Sequence, residues 1–85
     1  MAPPAARQLA ALPRNRLERI DEEILELAEN PRPHGAKRLE RNLWRIRVGN
    51  HRVVYSVHDG DRTVLVVAIA DRKEVYRLLR RMRLL

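Results

Sequence analysis

One run constrains this chain more than any other: Leu43-Trp44-Arg45-Ile46-Arg47-Val48-Gly49-Asn50-His51-Arg52-Val53-Val54-Tyr55. Trp44, Ile46 and Val48 alternate with Arg45 and Arg47, the period of a half-buried strand. Gly49-Asn50 suits a two-residue hairpin loop with glycine first, and Arg52 to His58 then forms the return strand. In that register Val48 pairs with His51, Arg47 with Arg52, Ile46 with Val53 and Trp44 with Tyr55. A slip of one residue would mix the faces; this one keeps the apolar pairs together and leaves Arg45, Arg47 and Arg52 on the opposite side. Like charges directly across a sheet destabilise it by roughly 0.2–1 kcal/mol at an exposed site. A phosphate between two guanidinium groups would convert that repulsion into charge-assisted hydrogen bonds. The plain alternative is an ordinary solvated face, neutralised by Glu40 or by an acidic partner.

The remaining elements follow from period changes. Ala5 to Leu12 is a short apolar-basic helical segment stopped by Pro13. Asn15 can cap a second helix over Arg16 to Glu29, with Leu17, Ile20, Ile24, Leu27 and Ala28 at helical spacing. Asn30-Pro31-Arg32-Pro33-His34-Gly35 breaks it into a loop. After the hairpin, His58-Asp59-Gly60-Asp61 is a tight turn. Thr63 to Ala70 is apolar on both faces, which predicts the most buried strand. Asp71-Arg72-Lys73-Glu74 has capping-box spacing and opens a last helix, whose Val75, Leu78, Leu79 and Met82 form one apolar stripe, extended by Leu84-Leu85. The fold class expected is α+β: two N-terminal antiparallel helices on a small, mainly antiparallel sheet (a three-stranded meander), then a short C-terminal helix. Residues 1–85 are expected to make a single domain.

Charge decides which partners are plausible. Eighteen Lys+Arg face eleven Asp+Glu, giving +7, with a sequence pI near 11.2. Only Lys37 and Lys73 are lysines. Arginine's planar fork suits phosphate recognition, although a GC-rich genome produces the same bias. There is no cysteine, and the three histidines lack metal-ligand spacing, so neither a disulfide nor a metal is expected. No apolar run approaches a membrane span or a signal peptide, and a cytoplasmic location is the expectation.

Arg72 and Tyr76 extend the arginine face. Arg72 stands at the mouth of the last helix, where unpaired N–H groups favour anions, and Tyr76 follows one turn on. Tyr76 can stack on a base or place its hydroxyl near a phosphate; it can equally pack in the core beside Val75 and Leu79. Asp71 reads as a cap. The apolar stripe either packs fully on the sheet or remains partly open as an interface.

The hairpin run, together with Ala70-Asp71-Arg72-Lys73-Glu74-Val75-Tyr76-Arg77, resembles the RelE-type toxins of the RelE/ParE superfamily. Leu12-Pro13, Asn30-Pro31-Arg32-Pro33 and Gly35-Ala36-Lys37-Arg38-Leu39 match in order and spacing, so the resemblance runs from Ala5 to Arg77. It implies a toxin that cleaves messenger RNA in the ribosomal decoding site and is silenced by a wrapping antitoxin. Carried over by position, the catalytic residues are Arg45, Arg47, Arg52, Arg72 and Tyr76, with Lys37, Arg38 and Lys73 binding RNA. Val75, Leu78, Leu79 and Met82 would meet the antitoxin, and no cofactor is implied. Two departures stand out. Members usually begin with a short strand that Met1 to Pro4 cannot supply, and they often carry Gly-His or Gly-Lys where this chain has Ala70-Asp71.

Cleavage by the RNA's own 2′-hydroxyl needs in-line geometry and charge stabilisation rather than a metal. Arginines serve the second need but are poor bases. His34, in the loop, and His51, on the apolar side of the turn, read as bystanders, so the ribosome is expected to supply geometry. Two rivals remain: a gyrase-poisoning relative of the same fold, which needs none of these arginines, and a non-catalytic nucleic-acid-binding module, which shares the charge without requiring Tyr76.

Overall fold

The computed structural model describes residues 1–84. In chain order it contains α1 (Pro3–Ala10), α2 (Arg14–Leu27), β1 (Lys37–Glu40), β2 (Leu43–Val48), β3 (His51–His58), a 3-10 turn (Asp59–Asp61), β4 (Thr63–Asp71) and α3 (Arg72–Arg81). The strands form one antiparallel sheet in the order β1-β2-β3-β4. Helices α1 and α2 pack on one face over β4 and β2, and α3 packs on the other over β4 and β3. The α+β architecture expected from the sequence is observed, with one strand more.

That extra strand is β1. Its four residues hold a single apolar side chain, Leu39, so no alternation announces it. Pairing of Lys37 with Arg45 and Arg38 with Trp44 creates it, and its charged, bulged character suits a sheet edge. The β2–β3 register is the one the alternation requires, from Trp44–Tyr55 through Ile46–Val53 and Arg47–Arg52 to Val48–His51. Gly49 takes φ +61°, a left-handed value that glycine adopts without strain.

The most buried strand is β3, not Thr63 to Ala70. β3 lies between two strands and beneath helices on both sides. β4 is an edge strand, and its first three residues extend past the helices into solvent. Its outer edge is met by α1: the Ala2 N–H donates to the Val66 carbonyl at 2.9 Å, and the Ile69 N–H to Oε1 of Gln8 at 2.7 Å.

Both N-terminal helices begin two residues before the expected points. Pro3 and Pro4 occupy the first turn of α1, where a missing N–H is harmless. The Pro13 carbonyl accepts from Leu17 N–H at 2.9 Å, making Pro13, not Asn15, the cap of α2. Asn15 lies inside the first turn, and its Oδ1 takes the adjacent Arg16 N–H. At the other end the helix stops at Leu27, short of Glu29.

Two apolar clusters hold the layers together. Beneath α1 and α2, Ala5, Ile20 and Leu27 meet Ile46, Val48, Val53, Tyr55 and Ile69. Beneath α3, Val75 and Leu79 meet Leu43, Val54, Val67 and Ala68. A full side-chain burial of this kind contributes about 1.5–3 kcal/mol. Val75 and Leu79 are at most 1% exposed, so half of the apolar stripe is core, while Leu78, Met82 and Leu84 are half-buried. Leu85 lies outside the described residues. The loop after α2 is pinned to the sheet: Tyr55 Oη donates to the Pro31 carbonyl at 2.7 Å, and Arg32 makes a two-point contact with Asp59 at 3.1 and 2.8 Å. The Arg32 guanidinium also sits 5.3 Å from the centre of the Trp44 ring. No described helix is long and apolar enough to cross a membrane.

Candidate nucleic-acid interface

Helix α3 packs mainly on the β3–β4 half of its face and reaches β2 at Leu43. The alternation of β2 puts Arg45 and Arg47 on that same face, further along the strand. Arg52 stands at the boundary, opposite Arg47 on one side and Ala70 on the other. Ala70 offers only a methyl group, so the longer side chain has room beside it. Arg72 heads α3 next to this point, and the three guanidinium groups of Arg47, Arg45 and Arg72 all act on Arg52. Its pKa is lowered, first by burial and then by those three charges in that order, with Tyr76 partly opposing them. Sequence reasoning put Arg45, Arg47 and Arg52 on one face and added Arg72 and Tyr76 to it; the fold sets the other four around Arg52.

Burial is what the sequence did not disclose. Arg45 and Arg52 are each 8% exposed, whereas a wet sheet face predicts open side chains. Arg45 lies between Lys37 and Val54 on the neighbouring strands, and Arg52 between Arg47 and Ala70. Among the described residues neither forms a salt bridge, and Nε of Arg45 is buried without a hydrogen-bond partner. Glu40, the acid the sequence offered, is paired in register with Leu43 and forms no salt bridge among the described residues. A buried donor left without a partner costs about 1–3 kcal/mol. Arg47 and Arg72 are exposed.

The flanking residues divide. Lys37 lies across from Arg45 and shares its face, and Lys73 lines a cleft of about 420 Å³ with Asn50, Arg52, Asp71 and Arg72. Arg38 pairs with Trp44, lies on the other face, and donates to the Arg41 carbonyl, so it does not join the cluster. Tyr76 is half-buried against the α3 core while standing close enough to act on Arg52. Asp71, although it borders that cleft, forms no salt bridge with the arginines; its Oδ1 accepts from the N–H groups of Lys73 at 3.0 Å and Glu74 at 2.8 Å. Glu74 does not close the box; it pairs with Arg77 at 3.1 Å. No three His, Asp or Glu side chains among the described residues converge to hold a metal.

His34 borders a different opening, beside Glu23, Arg45 and Arg47, and His51 faces α2 across from Val48. Neither borders the cleft beside Arg52 and Arg72.

A family model described as the ParE toxin of the type II toxin–antitoxin system, parDE, matches residues 1–76. The chain belongs to this toxin family. Solved structures agree with that assignment. The chain is 27% identical to a chain of the RelBE2 toxin–antitoxin complex from Mycobacterium tuberculosis, over 84% of this chain and 91% of that one, with a TM-score of 0.72. It is 27% identical to a chain of the RelE–RelB complex from Pyrococcus horikoshii, over 84% and 89%, with a TM-score of 0.76. The isolated RelE toxin of E. coli matches at 27% identity over 95% and 90%, with a TM-score of 0.70. No curated protein matches the chain. The resemblance to the RelE/ParE superfamily read from the hairpin and the Ala70–Arg77 run is thus borne out, as is the RelE-like fold.

Proposed function

We propose that this toxin is a metal-independent endoribonuclease that cuts messenger RNA on the ribosome. One observation carries the reading: Arg45, Arg47, Arg52 and Arg72 converge beside Tyr76 with no acid bridging them, two of them more than nine-tenths buried. A surface that only needed charge for solubility would leave its arginines in water. Here the groups are held together against their repulsion, an arrangement that gains most when an anion enters.

In the proposed step the 2′-oxygen attacks the adjacent phosphorus, and the 5′-oxygen of the next nucleotide departs. Arg52 and Arg72 bind the phosphate oxygens as their charge increases. Arg45 and Arg47 hold the substrate and assist proton movement, and Tyr76 orients the nucleotide or the 2′-hydroxyl. Lys37 and Lys73 bind the strand on either side. Arginine is a weak base, so the rate depends on geometry that the ribosome supplies, and the site of action is the cytoplasm. The partner that silences the toxin is a cognate antitoxin, as RelB is the partner in the M. tuberculosis and P. horikoshii complexes. An acidic antitoxin segment over the arginine face would associate fast and in a salt-sensitive way. Leu78 and Met82 offer it a margin of apolar surface; Val75 and Leu79 become available only if α3 is lifted from the sheet.

The family model's ParE description supports a second reading, inhibition of DNA gyrase. Cleavage assays with and without ribosomes, run beside a gyrase supercoiling assay, separate the two. Under the ribonuclease reading the protein cuts message only with ribosomes, and Arg72→Ala and Arg52→Gln abolish both cutting and growth inhibition. Full toxicity in both variants, or gyrase inhibition without cleavage, overturns it.

A further inference from the structure

The tip of the β2–β3 hairpin has a cationic cleft on each side. The one toward α3 contains Arg52, Arg72 and Lys73 and belongs to the site above. The other, of about 290 Å³, lies toward α2, with Arg16, Arg19 and His51 around it and Ile20 and Val48 at its base. No acid lines it. That absence is informative because α2 is rich in acids. Arg14 takes Glu18 at 3.2 Å, the usual one-turn pairing. Arg19 has Glu22 and Glu23 one turn ahead and bridges neither; it borders the cleft instead. Arg16 likewise forms no salt bridge among the described residues. His51 is directed here by the hairpin register, opposite Val48. The acid across from it on β4, Asp71, has its carboxylate engaged by the first turn of α3.

The two clefts adjoin. Asn50 lines both, and Gly49 leaves the tip with no side chain to obstruct a strand crossing it. We propose that the α2 cleft binds a backbone phosphate of the message strand itself, on the far side of the hairpin tip from the scissile phosphate. The inference rests on the RNA-cleaving reading. Arg16 and Arg19 make the phosphate contacts, with His51 and the amides of Asn15 and Asn50 at the rim. Such contacts position a strand without reading its bases. They would set the direction in which the message lies across the toxin.

The test uses RNA oligonucleotides of about three to nine nucleotides, methylated at the scissile 2′-hydroxyl, against wild type, Arg16→Gln/Arg19→Gln and Arg52→Gln. Both α2 arginines are exposed, so the double variant keeps its fold. Wild-type affinity should rise about tenfold once the strand is long enough to cross the tip. The double variant should lack that increment, and its log K against log salt slope should be shallower by about 0.7 for each phosphate lost. On programmed ribosomes its KM should rise while kcat holds. Arg52→Gln should lose cleavage of unmethylated message yet keep the length increment. Retention of the wild-type increment and salt slope by the double variant overturns the proposal and leaves the ribonuclease reading standing. So does a flat length series with weaker binding to vacant ribosomes alone, since the phosphate would then be ribosomal. If wild type neither binds any oligonucleotide nor cuts message on ribosomes, both readings fall.

Discussion

Replacing Arg45 by methionine should make the protein more stable and less toxic at once. The side chain is 8% exposed, its Nε has no partner, and it lies among like charges. Methionine keeps most of the stem and removes the charged head. Relief of one unsatisfied buried donor is worth about 1–3 kcal/mol, and relief of cross-strand repulsion adds about 0.2–1 kcal/mol. Loss of some stem packing offsets part of this, leaving a gain of at least about 1 kcal/mol. For a domain of this length, 1 kcal/mol corresponds to a Tm shift of roughly 4–8 °C. Urea denaturation gives the check: the midpoint should rise at constant slope, which marks a change in stability rather than in compactness. Sulfate should narrow the difference, because an anion bound among the arginines stabilises wild type preferentially. A lower midpoint for Arg45→Met would refute the argument, for it would mean that the guanidinium is satisfied in the folded chain. Ile46→Ala on the adjacent position is the contrast, and should lose about 2–5 kcal/mol.

Other perturbations test the supports of the site. Burial raises the Tyr55 hydroxyl to about 12, with Arg32 partly opposing. The folded state therefore holds this proton more tightly than the unfolded one, so stability should be constant below about pH 10 and fall by roughly 2–3 kcal/mol between pH 10 and 12. Tyr55→Phe should remove that alkaline loss while lowering stability at neutral pH by about 1 kcal/mol, both readable by denaturant titration. Asp71→Ala should cost about 0.5–2 kcal/mol through the lost cap; cleavage should fall further than stability, because Arg72 lies in the turn it anchors and Tyr76 one turn on. Leu79→Ala should lose about 2–5 kcal/mol. Deleting residues 77–85 should unfold the free protein, seen as loss of a cooperative transition, because Leu79 is core.

The hairpin was fully legible because its two faces differ in chemistry at every step, and only one register keeps them apart. The cap at Asp71 was legible for a similar reason: its partners lie within three residues, so no tertiary information is needed. β1 was not, since its existence depends on β2 pairing with it and not on its own pattern. Nor was the burial order of the strands. The apolar run in β4 reads as central, but position in a sheet is decided by which neighbours pair, and β4 ends up at an edge closed by Ala2 and Gln8. At the site, the list of arginines could be read from the resemblance, but their enclosure could not, because it depends on which side chains of other elements the fold sets around them. The clasp of Arg32 on Asp59 joins residues 27 positions apart and left no local signal, whereas Arg38's place on the opposite face follows from parity alone: it is one residue out of step with Lys37.

Parity has a genetic consequence as well. A cell freed from this toxin by mutation should yield survivors of two kinds, and along β2 they should alternate residue by residue. Changes at 45 and 47 should give full amounts of folded, harmless protein that an antitoxin still recognises through other surfaces. Changes at 44, 46 and 48 should give little protein at all. Sorting escape mutants by abundance would then draw the strand's pleat directly, with one side of the sheet reporting on inheritance of shape and the other on inheritance of poison.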